Sequence, residues 1–118
     1  MSASELRDAL QNTSEVDLTV TGRRSGQEST RPIWFVEEGD RLLLLPVTGS
    51  DSNWYRNIEK TPEVRLDADG AELSATARPL QDADGVADVV EKFRQKYGAD
   101  QVAEYYPKQN AAVEVPLG

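Results

Sequence analysis

LTVTGRRSGQESTRPIWFV, residues Leu18 to Val36, is the stretch that decides the fold. Leu18-Thr19-Val20-Thr21 alternates apolar and β-branched residues, and Pro32-Ile33-Trp34-Phe35-Val36 is a second β-rich run, so a hairpin is predicted. Between them, Gly22-Arg23-Arg24-Ser25-Gly26 forms a loop whose glycines can take a positive φ at both ends. Its amides, the Ser25 hydroxyl and the Arg23 and Arg24 guanidiniums can converge on one anion. A solvated polar turn that merely closes the hairpin is the plainer alternative. Arg31, a few residues on, could reach the same anion across the hairpin.

Upstream, Ser4 to Leu10 places leucines four apart behind a capping serine, which predicts a short helix against the sheet. Downstream, the second strand runs on to Glu37, and Glu38-Gly39-Asp40 turns the chain into Arg41-Leu42-Leu43-Leu44-Leu45. That unbroken apolar run predicts a strand buried on both faces, which Pro46 ends. Val47 to Ser52 is a polar loop opening a helix over Asn53 to Lys60, and Pro62 stops it. Trp54 and Ile58, four apart, share one face. Glu63 to Asp67 alternates into Asp69-Gly70, a strong hairpin signal, with a return strand from Ala71 to Pro79.

Asp82 or Asp84 can cap the longest helix, striped by Val86, Val89, Val90, Phe93 and Tyr97 and ended by Gly98. A helical turn or two over Asp100 to Tyr106 precedes a last strand at Ala111 to Val115. Six strands joined mostly by hairpins predict an α+β domain over 1–118, an antiparallel sheet curled into a small barrel with helices outside. The parts are an N-terminal helix at 3–11, a barrel core over 16–80, and C-terminal helices with the last strand over 82–116.

The 118 residues carry 13 Lys+Arg against 21 Asp+Glu, a net charge of -8, which disfavours nucleic acid and anionic membrane as partners. Acids spread along the whole length suggest a surface solvated for a salt-rich cytoplasm, as in a halophile. Cysteine and histidine are absent, which removes disulfides, thiolate nucleophiles, Cys/His zinc sites and the Ser-His-Asp triad. The hard step of any redox reaction then belongs to a bound cofactor. No window reads as a signal peptide or membrane span, so the expected location is cytoplasmic. Trp34, Trp54 and Tyr55 offer flat surfaces near the arginine loop, a combination suited to a phosphorylated, ring-bearing cofactor.

Thr21-Gly22-Arg23-Arg24-Ser25-Gly26, then Trp34-Phe35-Val36, then Trp54-Tyr55-Arg56-Asn57 ahead of Thr61-Pro62-Glu63-Val64, resembles the deazaflavin-dependent nitroreductase family. The resemblance runs from Leu18 to Leu80 and implies a split β-barrel, so the expected fold is a six-stranded split barrel with helices packed outside. Members of that family use reduced 8-hydroxy-5-deazaflavin coenzyme F-420 to pass a hydride to quinones, nitro compounds or unsaturated rings. FMN is the alternative cofactor. A non-catalytic carrier of a flavin, tetrapyrrole or other ring ligand is the alternative function, and a homodimer is expected by resemblance.

Carried over, the resemblance implies that Arg23, Arg24 and Ser25 hold the coenzyme's phosphate and acidic tail. Pro32 and Trp34 line the ring pocket, Pro46, Val47, Thr48 and Gly49 meet the ring edge, and Asn53 and Trp54 close the other side. Ser29 stands where relatives commonly carry a basic residue, and Arg31 is expected on the other face of the strand. Tyr55 is the expected proton donor to the product, with Tyr105 and Tyr106 read as packing residues.

Overall fold

The computed structural model describes residues 3–117. Its strands are β1 (Glu15–Thr21), β2 (Glu28–Glu38), β3 (Arg41–Leu44), β4 (Glu63–Ala68), β5 (Ala71–Thr76), β6 (Arg78–Leu80) and β7 (Ala112–Pro116). Among the described residues four α-helices accompany them: α1 (Ala3–Leu10), α2 (Asn53–Lys60), α3 (Ala83–Tyr97) and α4 (Ala99–Tyr105). One antiparallel sheet runs in the order β5-β4-β1-β2-β3-β7-β6.

The expected hairpin is present as β1 and β2, with Leu18 opposite Arg31 and Val20 opposite Ser29. Its loop departs from expectation at one glycine. Gly26 takes a φ of +71°, whereas Gly22 is not in the left-handed region. A Cβ at Gly22 would lie 2.7 Å from Ser25 Oγ and 3.2 Å from the Gln27 carbonyl, so a side chain there requires Ser25 to change rotamer. Asp69 and Gly70 form the β4–β5 turn with φ of 51° and 83°, as a two-residue hairpin of this type demands.

The single return strand expected over Ala71 to Pro79 is in fact two. β5 pairs with β4, the chain steps through Ala77, and β6 pairs with β7, giving seven strands rather than six. Ala77 turns its N–H away to the Pro62 carbonyl at 2.8 Å. β5 and β6 are the two outermost strands of the sheet, yet one residue joins them. A single residue spans only about 3.5 Å, so the sheet must curl until its edges meet.

β2 is where the sheet splits. Glu28 to Trp34 pair with β1 on one edge, and Phe35 to Glu38 pair with β3 on the other. Beyond the start of β1, the open rung at Phe35 is completed by side chains from α3. The Tyr97 hydroxyl accepts from the Phe35 N–H at 3.1 Å and donates toward the Phe35 and Ser14 carbonyls at 2.8 and 3.0 Å. Lys96 Nζ adds a bond to the Phe35 carbonyl at 2.7 Å and lies 3.6 Å from the Phe35 ring centroid. Burial pushes the Lys96 ammonium pKa below its ordinary value, and burial pushes the Tyr97 phenol up.

Tyr97→Phe strips the Phe35 N–H of its partner while Lys96 still satisfies the carbonyl. The expected cost is about 1–3 kcal/mol in urea unfolding, and an unchanged midpoint would show that this rung carries no weight.

Two apolar layers flank the sheet. Leu42 and Leu44 face the barrel interior with Leu18, Phe35, Trp54 and Ile58, while α1 closes one end with Leu6 and Leu10. Leu43 and Leu45 face outward against Val86, Val89, Val90 and Phe93 of α3 and Val102 of α4. The run of four leucines is therefore buried on both faces, as its sequence predicts. Asp82, rather than Asp84, caps α3 by accepting from the Gly85 N–H at 2.7 Å. No helix among the described residues is long and apolar enough to cross a membrane.

Candidate functional site

Two adjoining clefts meet at Trp54. The first, of about 400 Å³, lies between the β1–β2 loop, the start of β2 and one face of α2. Arg23, Arg24, Ser25 and Arg31 all line it, together with Asn53 and Trp54. Ser29 lines it too, so Arg31 is not on the opposite face. The reason is strand parity, since residues two apart on β2 project to the same side.

The arginines divide the work. Arg23 is held in place: its N–H and its Nη1 donate to Asn57 Oδ1 at 3.1 and 2.8 Å, and Lys60 Nζ donates to its carbonyl at 2.8 Å. The Arg24 and Arg31 side chains form no hydrogen bond or ion pair with the other described residues. Their donors are available to a ligand. The one carboxylate at the cleft, Glu28, is drawn to Arg65 at 3.3 Å across the sheet. A cluster of three guanidiniums thus stands in a chain whose net charge is -8. Guanidiniums in such an arrangement are chemically suited to a planar or branched anion such as carboxylate or phosphate.

The second cleft, of about 270 Å³, is aromatic. Pro32 and Trp34 line it from β2, Val47 from the loop after β3, Trp54 from α2, and Tyr105 and Tyr106 from the end of α4. Pro32 sits where only one edge of β2 is paired, the place a strand tolerates a residue without an N–H. Trp34 is clamped by the C-terminal helices. Its ring stacks on Tyr97 at 4.2 Å and meets Tyr105 edge-on at 4.9 Å. Trp54 is only 4% exposed, and it lines both clefts.

Some expected residues lie elsewhere. Tyr55 is fully buried in the barrel interior and lines neither cleft. Its hydroxyl has no hydrogen-bond partner, with the Gln81 side chain near it but outside bonding geometry, and burial pushes the phenol pKa up. One helical step turns it away from the face that carries Trp54, so it is not placed to protonate a product. Pro46, Thr48 and Gly49 line neither cleft. Thr48 is bonded to Ser52 at 2.9 Å, and Gly49 packs beneath the loop before β7.

Other residues were missed. Asn57 shares the cleft face of α2 with Asn53 and Trp54, and the i, i+3, i+4 spacing could have marked it. Tyr105, read as packing, is 51% exposed and presents its phenol to the aromatic cleft. Tyr106 beside it is buried, and burial pushes its phenol far above the ordinary range. Among the described residues no group of acids could hold a metal ion.

The family model described as F420H(2)-dependent quinone reductase matches residues 2–116. An F420H(2)-dependent quinone reductase of Mycobacterium tuberculosis is 29% identical over 70 residues, a match covering 57% of this chain and 47% of that protein. The chain thus spans about half the length of the curated relative it matches. Among solved structures, an F420-H2 dependent reductase superposes with a TM-score of 0.67 at 22% identity, covering 86% of this chain and 93% of the other. The heme storage protein HutZ of Vibrio cholerae gives 0.72 at 16% identity over 100% of this chain and 92% of that one. These likenesses bear out the split barrel.

Proposed function

The chain belongs to the F420H(2)-dependent quinone reductase family, and from that membership we propose that it binds reduced coenzyme F420 across both clefts and reduces a quinone. The observation that carries this reading is the continuity of the two clefts at Trp54, with unpaired Arg24 and Arg31 at one end and aromatic walls at the other. The combined space lies within the usual range for a small-molecule site, about 300–1,000 Å³. The coenzyme, when bound, supplies the hydride.

The chain's own residues then have three tasks. Arg24 and Arg31, with Ser25 beside them, hold the phosphate and acidic tail. Pro32, Trp34 and Trp54 fix the ring plane through packing, which is where rate is gained by orientation. Tyr105 holds a proton at Oη at the edge of the aromatic cleft, where a reduced acceptor can collect it.

Purified protein is expected to oxidise reduced coenzyme F420 with menadione as acceptor, and to prefer that coenzyme to FMN or haem in equilibrium dialysis. Tyr105→Phe is expected to lower kcat about 10–100-fold with coenzyme affinity unchanged, while Tyr55→Phe leaves kcat alone. Equal turnover in Tyr105→Phe would remove the phenol from the mechanism. Absence of coenzyme binding would end the reductase reading.

A further inference from the structure

The loop after β3 and the loop before β7 leave the same end of a strand pair, since Leu44 stands opposite Val113. Side chains stitch them together. Asn110 Oδ1 accepts from the Ser50 N–H at 2.9 Å, and Asn110 Nδ2 donates to Ser50 Oγ at 3.0 Å. Lys108 Nζ meets Asp51 Oδ2 at 2.5 Å, and Arg56 of α2 holds the same carboxylate at 3.1 Å through its other oxygen. The Lys108 ammonium, with Arg56 assisting, holds the Asp51 carboxyl below its ordinary pKa.

Gly49 makes the approach possible. It has a φ of +58°, and a Cβ there would overlap Asn110 Oδ1 and lie 2.9 Å from the Lys108 carbonyl. The latch groups line no part of the aromatic cleft themselves. They tie the loop that carries Val47 to the segment that follows Tyr105 and Tyr106, and all three of these residues line that cleft.

We propose that Asn110 is a positioning residue that sets the width of the aromatic cleft and thereby selects quinones by ring size. The proposal rests on the reading that a quinone enters this cleft. Two hydrogen bonds from one planar amide fix both the separation and the orientation of the loops, which a single flexible ion pair does not. Cutting them leaves Val47 and Tyr105 free to separate. The change favours a two-ring quinone over a one-ring quinone.

The test is isothermal titration of the protein saturated with oxidised coenzyme F420, with menadione and with 1,4-benzoquinone, followed by KM and kcat for both with reduced coenzyme. Asn110→Ala and Gly49→Ala are each expected to shift the ratio of the two dissociation constants about fivefold toward menadione. kcat stays close to the parent value while KM carries the change. Gly49→Ala made in the Asn110→Ala background shifts the ratio less than it does alone, because the overlap with Oδ1 is gone.

A ratio unchanged in folded variants overturns the positioning role. Should both variants fail to fold, Ser50→Ala removes only the acceptor of the Nδ2 bond, and an unchanged ratio there overturns it equally. Parent protein that takes up neither quinone overturns the placement of substrate in this cleft, and the latch proposal with it.

Discussion

An Arg24→Ala, Arg31→Ala double variant is expected to bind reduced coenzyme F420 about 100-fold more weakly than the parent and to unfold at the same urea concentration. Each charge-assisted hydrogen bond to an anion contributes about 1.5–3 kcal/mol. Two such contacts on one ligand add imperfectly, so about 3 kcal/mol, near 100-fold, is the conservative expectation. Stability is untouched because neither guanidinium is bonded to any other described residue.

Arg23→Ala is the contrasting variant. It removes the side-chain bond to Asn57 Oδ1 at 2.8 Å, one of the bonds that tie the loop to α2, while the backbone bonds to Asn57 and Lys60 remain, so its first effect falls on the loop rather than on the ligand. Titration with the coenzyme followed by quenching of tryptophan fluorescence, with Trp54 at the cleft, at two salt concentrations measures the difference, since a cleft this open feels screening. Equal affinity in the Arg24, Arg31 double variant would leave the anion grip without support.

Trp34→Ala is expected to cost about 2–3 kcal/mol, below the range for a fully buried aromatic because Trp34 is only half-buried. Trp34 touches Tyr97, Tyr105 and Tyr106, so its loss unseats the segment after α3 as well as the cleft wall. For a domain stabilised by about 5–15 kcal/mol, that is a large fraction of the total. Urea unfolding followed through the remaining Trp54 gives the value. Coenzyme affinity falls with it, and addition of coenzyme recovers less stability than in the parent protein. A loss below about 1 kcal/mol would mean that the three tyrosines repack without the indole.

How much of this was legible beforehand differs by element. The β1–β2 hairpin, the strand from Arg41, the Asp69-Gly70 turn and the Asp82-capped helix could be read because each is signalled within ten or so residues by alternation, a glycine or a cap. The break at Ala77 could not. Nothing local distinguishes one long return strand from two short ones, since the break follows from which partner each half finds, β4 or β7.

The site divides in the same way. The chain by itself determined that an arginine loop stands beside tryptophans in an acidic protein without cysteine or histidine, and so that any redox step must be borne by a bound group. Composition and short-range spacing are enough for that. Only the tertiary structure decided which groups are available. Asn57, 34 residues from Arg23, occupies the first arginine, whereas the Arg24 and Arg31 side chains have no partner among the other described residues. The curl of the sheet buries Tyr55, and α4 brings Tyr105 to Trp34 from 71 residues away. Availability depends on what packs against a side chain, and packing joins residues that the sequence keeps far apart.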